Sequence, residues 1–324
     1  MKFMCKKCLL VLAFVMIAST AWGASYPTKP ITLLVPMAAG GGSDIMARTI
    51  AGLIGELKLL PQPLVVENRP GGSGFVGYTY VANRKADPYI ITTTSASFWN
   101  TPIAGNAPIN YTSFTPVAAF GLDPQMLCTR TDSPFNSLAE LVAAAKEKPD
   151  TYTVGASSAF SAERICLELL NRDAGIKLKH LAFKSGGEVM TALLGGHVDA
   201  AWINPSEGVT LLKANQIKAF GLTHDQRLPN IPDVATFIEL GYDDVVYGDL
   251  RGIVAPLDIP KEALDVLVDT FEKLTSSQTW KEKYLDPTGV VPRFMAPEEW
   301  GKAIVRQNEL ITDIFNSLGM AKNP

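Results

Sequence analysis

Short apolar runs alternate along this chain with segments of helical period. ITLLV (Ile31 to Val35) has strand length, and it leads to Met46, Ile50, Leu53, Ile54 and Leu57, which share one helical face between about Asp44 and Leu57. PLVVEN (Pro63 to Asn68) leads through Gly71-Gly72-Ser73-Gly74 to a helix ending near Asn83. YIITTT (Tyr89 to Thr94) ends in a polar loop, SASFWN. MLCTR precedes Ser137-Leu-Ala-Glu140, the spacing of a capping box that opens a helix to about Glu147. YTVGAS then precedes SAERICLELLNR, and HLAFK precedes GGEVMTALLGG. VDAAWIN, KAFGLT and GIVAP are further strands, and Pro260 and Pro297 stand where the first turns of late helices begin.

Strand, loop and helix repeated in this way predict parallel sheets covered by helices, the α/β class. The chain has 324 residues, more than one such sheet usually needs, so two α/β domains are expected. Long linkers and fixed-period repeats are absent, so the crossings must be short. We place them near Gly121–Gln125 and Tyr247–Gly252. Domain 1 is then discontinuous, residues 24–123 plus 249–324, and domain 2 is residues 124–248.

The N-terminus departs from this pattern. Lys2, Lys6 and Lys7 precede the apolar run Cys8 to Ala18, and Ala21-Trp22-Gly23 follows. That is the order of a secretory signal, residues 1–23, cleaved near Gly23. The apolar run is short for a membrane span. Removing its three lysines leaves 26 basic against 32 acidic residues, so no basic face for nucleic acid is implied. In an exported chain Cys128 and Cys166 could pair, and two buried thiols fit equally well.

Gly40-Gly41-Gly42-Ser43 leads a strand into a helix, where unpaired N–H groups and the helix dipole favour an anion. The alternative is a tight turn with Ser43 or Asp44 as N-cap. No lysine follows, and Asp44 would repel a phosphate, so this is not a nucleotide loop. Gly72-Ser73-Gly74-Phe75-Val76-Gly77 matches GxGxxG, yet the next strand ends in Thr92-Thr93-Thr94 where a dinucleotide site needs an acid. Gly155-Ala-Ser-Ser-Ala159 misses the nucleophile elbow at its last position, leaving Ser157 and Ser158 without a base nearby in sequence. His180, His197 and His224 have no metal-site spacing. No cofactor, metal or catalytic residue is expected. What recurs is small, polar loops at strand ends: GGGSD, TTSASFWN, GASSAFSAER and FKSGGE. In open α/β sheets such loops converge at one edge, where they suit a small anion.

YPTKPITLLVPMAAGGGSDIMAR, VVENRPGGSGFVG, HLAFKSGGEVMTALLGGHVDAAW and LPNIPDVATFIELGY, in that order, resemble the extracytoplasmic receptors of tripartite tricarboxylate transporters, the Bug family. The resemblance implies a two-domain periplasmic binding protein of type II-like fold, with its ligand cleft between the domains. It implies a monomeric receptor, not an enzyme, that delivers a small carboxylate to a membrane permease. It maps the first loop to Ala38 through Asp44 (Ala39, Gly40, Gly41, Gly42, Ser43 and Asp44). It maps the third-strand loop to Ser95, Ala96, Ser97 and Phe98. The second-domain loop maps to Ala156, Ser157, Ser158 and Ser161, the Lys-Gly-Gly turn to Lys184 and its neighbours, and a crossover to Asn204. Two departures bear on the ligand. Met37 and Ala38-Ala39 replace bulkier family residues, and Asp249-Leu250-Arg251-Gly252 stands where Trp-Phe-Gly is common. Arg251 could grip a distal carboxylate or form a salt bridge to Asp249 or Asp244. Phe98 and Trp99 could stack on a ring or fill the hinge face. A di- or tricarboxylate is expected first, and an aromatic or hydroxylated monocarboxylate second. A liganded form that docks to a periplasmic sensor shares the same cleft.

Overall fold

The computed structural model describes residues 26–105 and 107–321. The signal expected at residues 1–23 lies outside the described residues. The strands are β1 (Ile31–Val35), β2 (Leu64–Asn68), β3 (Ile90–Thr93), β4 (Phe114–Pro124), β5 (Met126–Arg130), β6 (Thr153–Ala156), β7 (Lys179–Ala182), β8 (Ala200–Ile203), β9 (Ile217–Leu222), β10 (Gly248–Pro256) and β11 (Val291–Met295). The helices are α1 (Gly42–Glu56), α2 (Phe75–Ala82), α3 (Ser97–Ile103), α4 (Leu138–Glu147), α5 (Ala162–Ala174), α6 (Gly186–Leu194), α7 (Pro205–Lys213), α8 (Lys261–Thr275) and α9 (Pro297–Ser317), with a broken helical segment over 278–288. No described helix is long and apolar enough to cross a membrane.

The strands form two sheets, in the orders β11-β4-β10-β3-β1-β2 and β7-β6-β8-β5-β9. The α/β class holds, and the sheets are mixed, with antiparallel pairs added to the expected parallel ones. β1 runs parallel to β2 and β3, and β6 parallel to β7 and β8. β4, β10, β11 and β5 add antiparallel pairs. The cause is the crossing itself. β4 carries the chain out of the first sheet and β10 brings it back, so the two lie side by side in opposite directions from Phe114–Pro256 to Pro124–Gly248. They are clasped on leaving the sheet: the Gln125 N–H donates to Thr223 Oγ1 (2.8 Å), and the Thr223 hydroxyl donates to the Tyr247 carbonyl (2.5 Å).

Two local readings also change, and β4 and β11 are strands that the pattern does not predict. Ser97-Phe98-Trp99-Asn100 of SASFWN open α3, and only Ser95 and Ala96 lie before the helix. β4 and β11 carry no alternation in sequence: β4 is buried along most of its length, and Pro116 and Gly121 interrupt it. The N-cap of α1 is Gly41, not Ser43 or Asp44. The apolar face read for α1 is buried at Met46, Ile50, Leu53 and Ile54 against the first sheet. Each such side chain contributes about 1.5–3 kcal/mol on burial. On the other face, α9 buries Trp300, Ile304, Ile311 and Phe315, and the Trp300 indole donates to the Ile253 carbonyl of β10 (3.2 Å). The strand ends that carry the loops are therefore fixed by packing on both sides. Cys128 and Cys166 are buried free thiols, not a disulfide.

Candidate functional site

The β1–α1 loop is shaped from within. Asp44 Oδ2 accepts the Gly40 N–H (3.0 Å) and the Arg48 Nε–H (2.9 Å), while Oδ1 accepts the Asn68 amide (2.9 Å). Asn68 also donates to the Met37 carbonyl (3.2 Å) and accepts from Arg48 (2.9 Å). The GGGSD and VENRP stretches thus interlock. Asp44 is held below the ordinary aspartate range: its hydrogen bonds to Arg48, Gly40 and Asn68 outweigh burial. It points at β2, away from the cleft.

The other end of this loop faces the second sheet. Gly41, Gly42 and Ser43 meet Ser157, Ser161 and Asn204 around a chamber of about 30 Å³. Ser95 and Ser97 close a third side, and Arg251 and Asp249 of β10 form its floor. Two direct bonds cross from one sheet's loops to the other's. The Gly42 N–H donates to Glu207 Oε1 (2.7 Å), and Arg251 Nη2 donates to Asn204 Oδ1 (2.8 Å). Asn100 adds a third, donating to the Phe160 carbonyl (2.9 Å).

Glu207 is the side chain that sequence reasoning missed. It lies in the first turn of α7, and its Oε2 accepts the Asn204 N–H (3.1 Å). It also packs against Gly186, where α6 begins; a methyl group at Gly186 would overlap its carboxylate. One carboxylate thus sits at the N-termini of α1, α6 and α7. Helix N-termini attract such charge, and three converge here. The glycine cradle holds a carboxyl group, and it is the protein's own. The Asn-x-x-Glu spacing over Asn204–Glu207 was the available signal, and it reads as an ordinary capping box.

Arg251 is 2 % exposed and committed to the protein. Nε and Nη2 donate to Asp123 Oδ2 (2.9 and 2.6 Å), and Nη1 donates to Ser43 Oγ (3.0 Å). Asp249 stands 3.5 Å away, and Asp244 pairs instead with Arg172 (3.1 Å). Gly42 must lack a side chain because a Cβ there would lie 2.6 Å from Arg251 Nη2 and 2.9 Å from Asn204 Oδ1. Burial works against the guanidinium charge, but Asp123 and Asp249 outweigh it and hold Arg251 charged. Asp123 is pushed up by burial and pulled back by Arg251; with two N–H donors on one oxygen, it stays ionised.

Of the remaining acids, Glu163 and Glu207 have no cationic partner among the described residues, while Asp249 lies 3.5 Å from Arg251. Burial pushes Glu207 up to about 8, the Glu163 charge adds to this, and the Gly42 and Asn204 N–H groups oppose it. Burial and Asp249 raise Glu163, whose Oε1 accepts the Ser157 hydroxyl (2.8 Å). Burial also raises Asp249, against the pull of Arg251 and the Ala96 N–H (2.9 Å).

Several expected site residues lie elsewhere. Phe98 is not at the chamber: it is buried among Tyr78, Trp99 and Phe114, with ring centroids 5.1–5.2 Å from each. Trp99 packs on Trp300 and its indole donates to the Ile304 carbonyl (3.1 Å), so both rings fill the core. Ser158 and Lys184 line an outer cavity of about 520 Å³ that shares Met37 and Ser157 with the chamber and is walled by Gly71–Gly74. Ala39 lies in a shallower hollow beside Gly187, and Gly40 is turned towards the same residue. A larger cavity, about 650 Å³, lies between the 224–230 loop and 275–292, away from all of these loops.

Similarity to known proteins agrees with this geometry. The sequence profile described as "Tripartite tricarboxylate transporter family receptor" matches residues 46–320. A protein from the TAR-I ttuE-ttuC' intergenic region of Agrobacterium vitis is 32% identical over 276 residues, 83% of this chain and 77% of the relative. Among solved structures, the periplasmic binding protein BugD superposes with a TM-score of 0.86 at 28% identity, covering 92% of this chain and 100% of BugD. The Rhodopseudomonas palustris protein Rpa4515, solved with adipate, gives 0.86 at 25% identity and covers 92% of this chain and 99% of its own. MatC from the same organism, solved with bound malate, gives 0.80 at 25% identity, covering 89% and 99%. Mixed α/β sheets, a polar chamber between them and a family match over most of the chain lead to one conclusion: this chain belongs to the tripartite tricarboxylate transporter receptor family.

Proposed function

We propose that this chain is a periplasmic receptor that captures a small carboxylate between its two sheets and delivers it to the permease of a tripartite tricarboxylate transporter. The observation that carries this reading is the chamber itself. Small polar loops from both sheets meet there, and the bonds Gly42–Glu207 and Arg251–Asn204 cross it. In this reading, domain 1 is residues 24–123 plus 249–324 and domain 2 is residues 124–248, hinged where β4 and β10 cross. The leader 1–23 is removed on export. The receptor works as a monomer and does no chemistry on its ligand. Ser157 fits that role, since its hydroxyl donates to Glu163 and no histidine lines the chamber.

Ligand selects the closed form, because only closure brings both sets of loops onto it. The chamber shares Met37 and Ser157 with the outer cavity, so a ligand held at the chamber extends into that cavity beside Ser158 and Lys184. Adipate and malate, held by two relatives, motivate the first ligands to try. The test is a thermal-shift panel of citrate, malate, tartrate, succinate, adipate, nicotinate and benzoates. A bound ligand raises the melting temperature in a concentration-dependent way. No response to any of them, together with turnover of one, would overturn the receptor reading.

A further inference from the structure

Gly42 is the first residue of α1, so its N–H has no acceptor within that helix. A ligand arriving at the chamber would find this donor already used: Glu207 Oε1 takes it at 2.7 Å, from the first turn of α7 on the far side of the cleft. Glu207 does more here than cap its own helix. A capping-box glutamate reaches back to the N–H of its N-cap, as Oε2 does to Asn204 (3.1 Å). The other oxygen is aimed across the cleft. A fitted socket receives it. A methyl group at Gly186 would overlap the carboxyl group, and one at Gly41 would lie 3.5 Å from Oε1. Beside them the two backbones touch, since a Cβ at Gly187 would lie 3.4 Å from the Gly40 carbonyl oxygen. The base of the side chain is fixed as well. Asn204 accepts from Arg251 Nη2 (2.8 Å) and donates to the Pro124 carbonyl (3.3 Å).

Gly42, Gly186 and Glu207 all line the chamber, so a ligand oxygen and the Glu207 carboxyl group cannot both use the Gly42 N–H in this socket. Resting on the carboxylate-receptor reading above, we propose that Glu207 is an intramolecular competitor of the ligand: it occupies the cradle at Gly42, latches the unliganded protein closed, and is displaced when a ligand binds. The exchange is one hydrogen bond for another, so a ligand gains at Gly42 only what exceeds the bond it breaks. A latch of this kind lowers the apparent affinity of every ligand by the fraction of molecules that are unlatched. It therefore raises the affinity that a molecule must supply before the receptor takes it up.

The experiment compares the exported full chain with its Glu207→Ala and Glu207→Gln variants, each checked for an unchanged far-ultraviolet spectrum. Residue-resolved hydrogen exchange comes first, without ligand. The Gly42 N–H should be protected in the wild type and in Glu207→Gln, whose amide oxygen still accepts, and should exchange about tenfold or more faster in Glu207→Ala. Calorimetric titration with malate, succinate and adipate follows. A probe that binds the wild type should bind Glu207→Ala about threefold to tenfold tighter, the worth of one hydrogen bond, and Glu207→Gln with wild-type affinity. Rapid exchange of the Gly42 N–H in the unliganded wild type overturns the latch and leaves the receptor reading standing, even if Glu207→Ala does not fold. An equal gain in Glu207→Gln assigns the effect to charge and overturns the competition. Weaker binding by Glu207→Ala makes Glu207 a ligand contact and overturns it too. A probe bound by Glu207→Ala alone supports the latch in its strongest form. Binding of no probe by any of the three proteins counts against the receptor reading and the competition together.

Discussion

The two lips of the cleft are built from different materials. The lip on the first sheet is backbone: Gly41 and Gly42 present N–H groups on a loop that Asp44, Asn68 and Arg48 hold from behind. The lip on the second sheet is side chain: Glu163, Asn204 and Glu207 present oxygens from the first turns of α5 and α7 and the N-cap between them. Donors on one side meet acceptors on the other, so closure makes hydrogen bonds that the open form gives to water. The backbone lip's Gly42 N–H is taken by the protein's own Glu207. The side-chain lip differs in charge and reach with every residue, and it is where discrimination among ligands resides.

The largest effect should follow from removing the cation that joins the lips. Arg251→Met leaves Asp123 buried with no counter-charge, a loss of about 3–5 kcal/mol for such a pair, read by urea denaturation. A loss under about 1 kcal/mol would mean that Asp123 is protonated and the pair is weak. Next comes Gly186→Ala. Its methyl group overlaps the Glu207 carboxylate and should cost about 1–3 kcal/mol by overpacking. It should also shift small-angle scattering towards a larger radius, since Glu207 can no longer reach Gly42. An unchanged radius would separate Glu207 from closure.

Glu207→Gln is milder, because the amide oxygen can still accept the Gly42 N–H. Its signature is in pH. Glu207 titrates near 8 when folded and in the ordinary glutamate range when unfolded, so between those values the folded protein holds the extra proton. Stability therefore falls as pH rises from about 5 to 8. Glu207→Gln should flatten that slope in melting-temperature scans, and an unchanged slope would assign it to another group. The smallest effect is a control far from the cleft. Ser137 Oγ accepts the Glu140 N–H (3.2 Å) at the start of α4, so Ser137→Ala should cost about 1 kcal/mol and leave ligand affinity alone.

What was legible in the sequence was local. The strand-loop-helix order, the buried face of α1 and the polar loops all depend on residues close in the chain. The SASFWN helix was not legible, because serine, asparagine, phenylalanine and tryptophan have modest helix propensity and Pro102 lies inside it. Its stability comes from burying Phe98 and Trp99 among other aromatic rings. Glu207 was hidden for another reason. It lies 165 residues from Gly42, and its Asn204–Glu207 spacing is that of any helix start. Only packing three helix N-termini at one point makes it part of the cradle. Arg251 could be read either way from sequence. Its dominant partner, Asp123, is 128 residues away and faces it because β4 and β10 pair directly.

The central claim is that the ligand binds in the chamber between the two lips and not in the larger cavity between residues 224–230 and 275–292. A crystal structure of the protein grown with its tightest-binding carboxylate tests this directly. The account predicts ligand density bounded by Gly42, Ser161 and Asp249 and extending past Met37 towards Lys184. Density in the larger cavity, with the chamber unchanged and the Gly42–Glu207 bond intact, would contradict it.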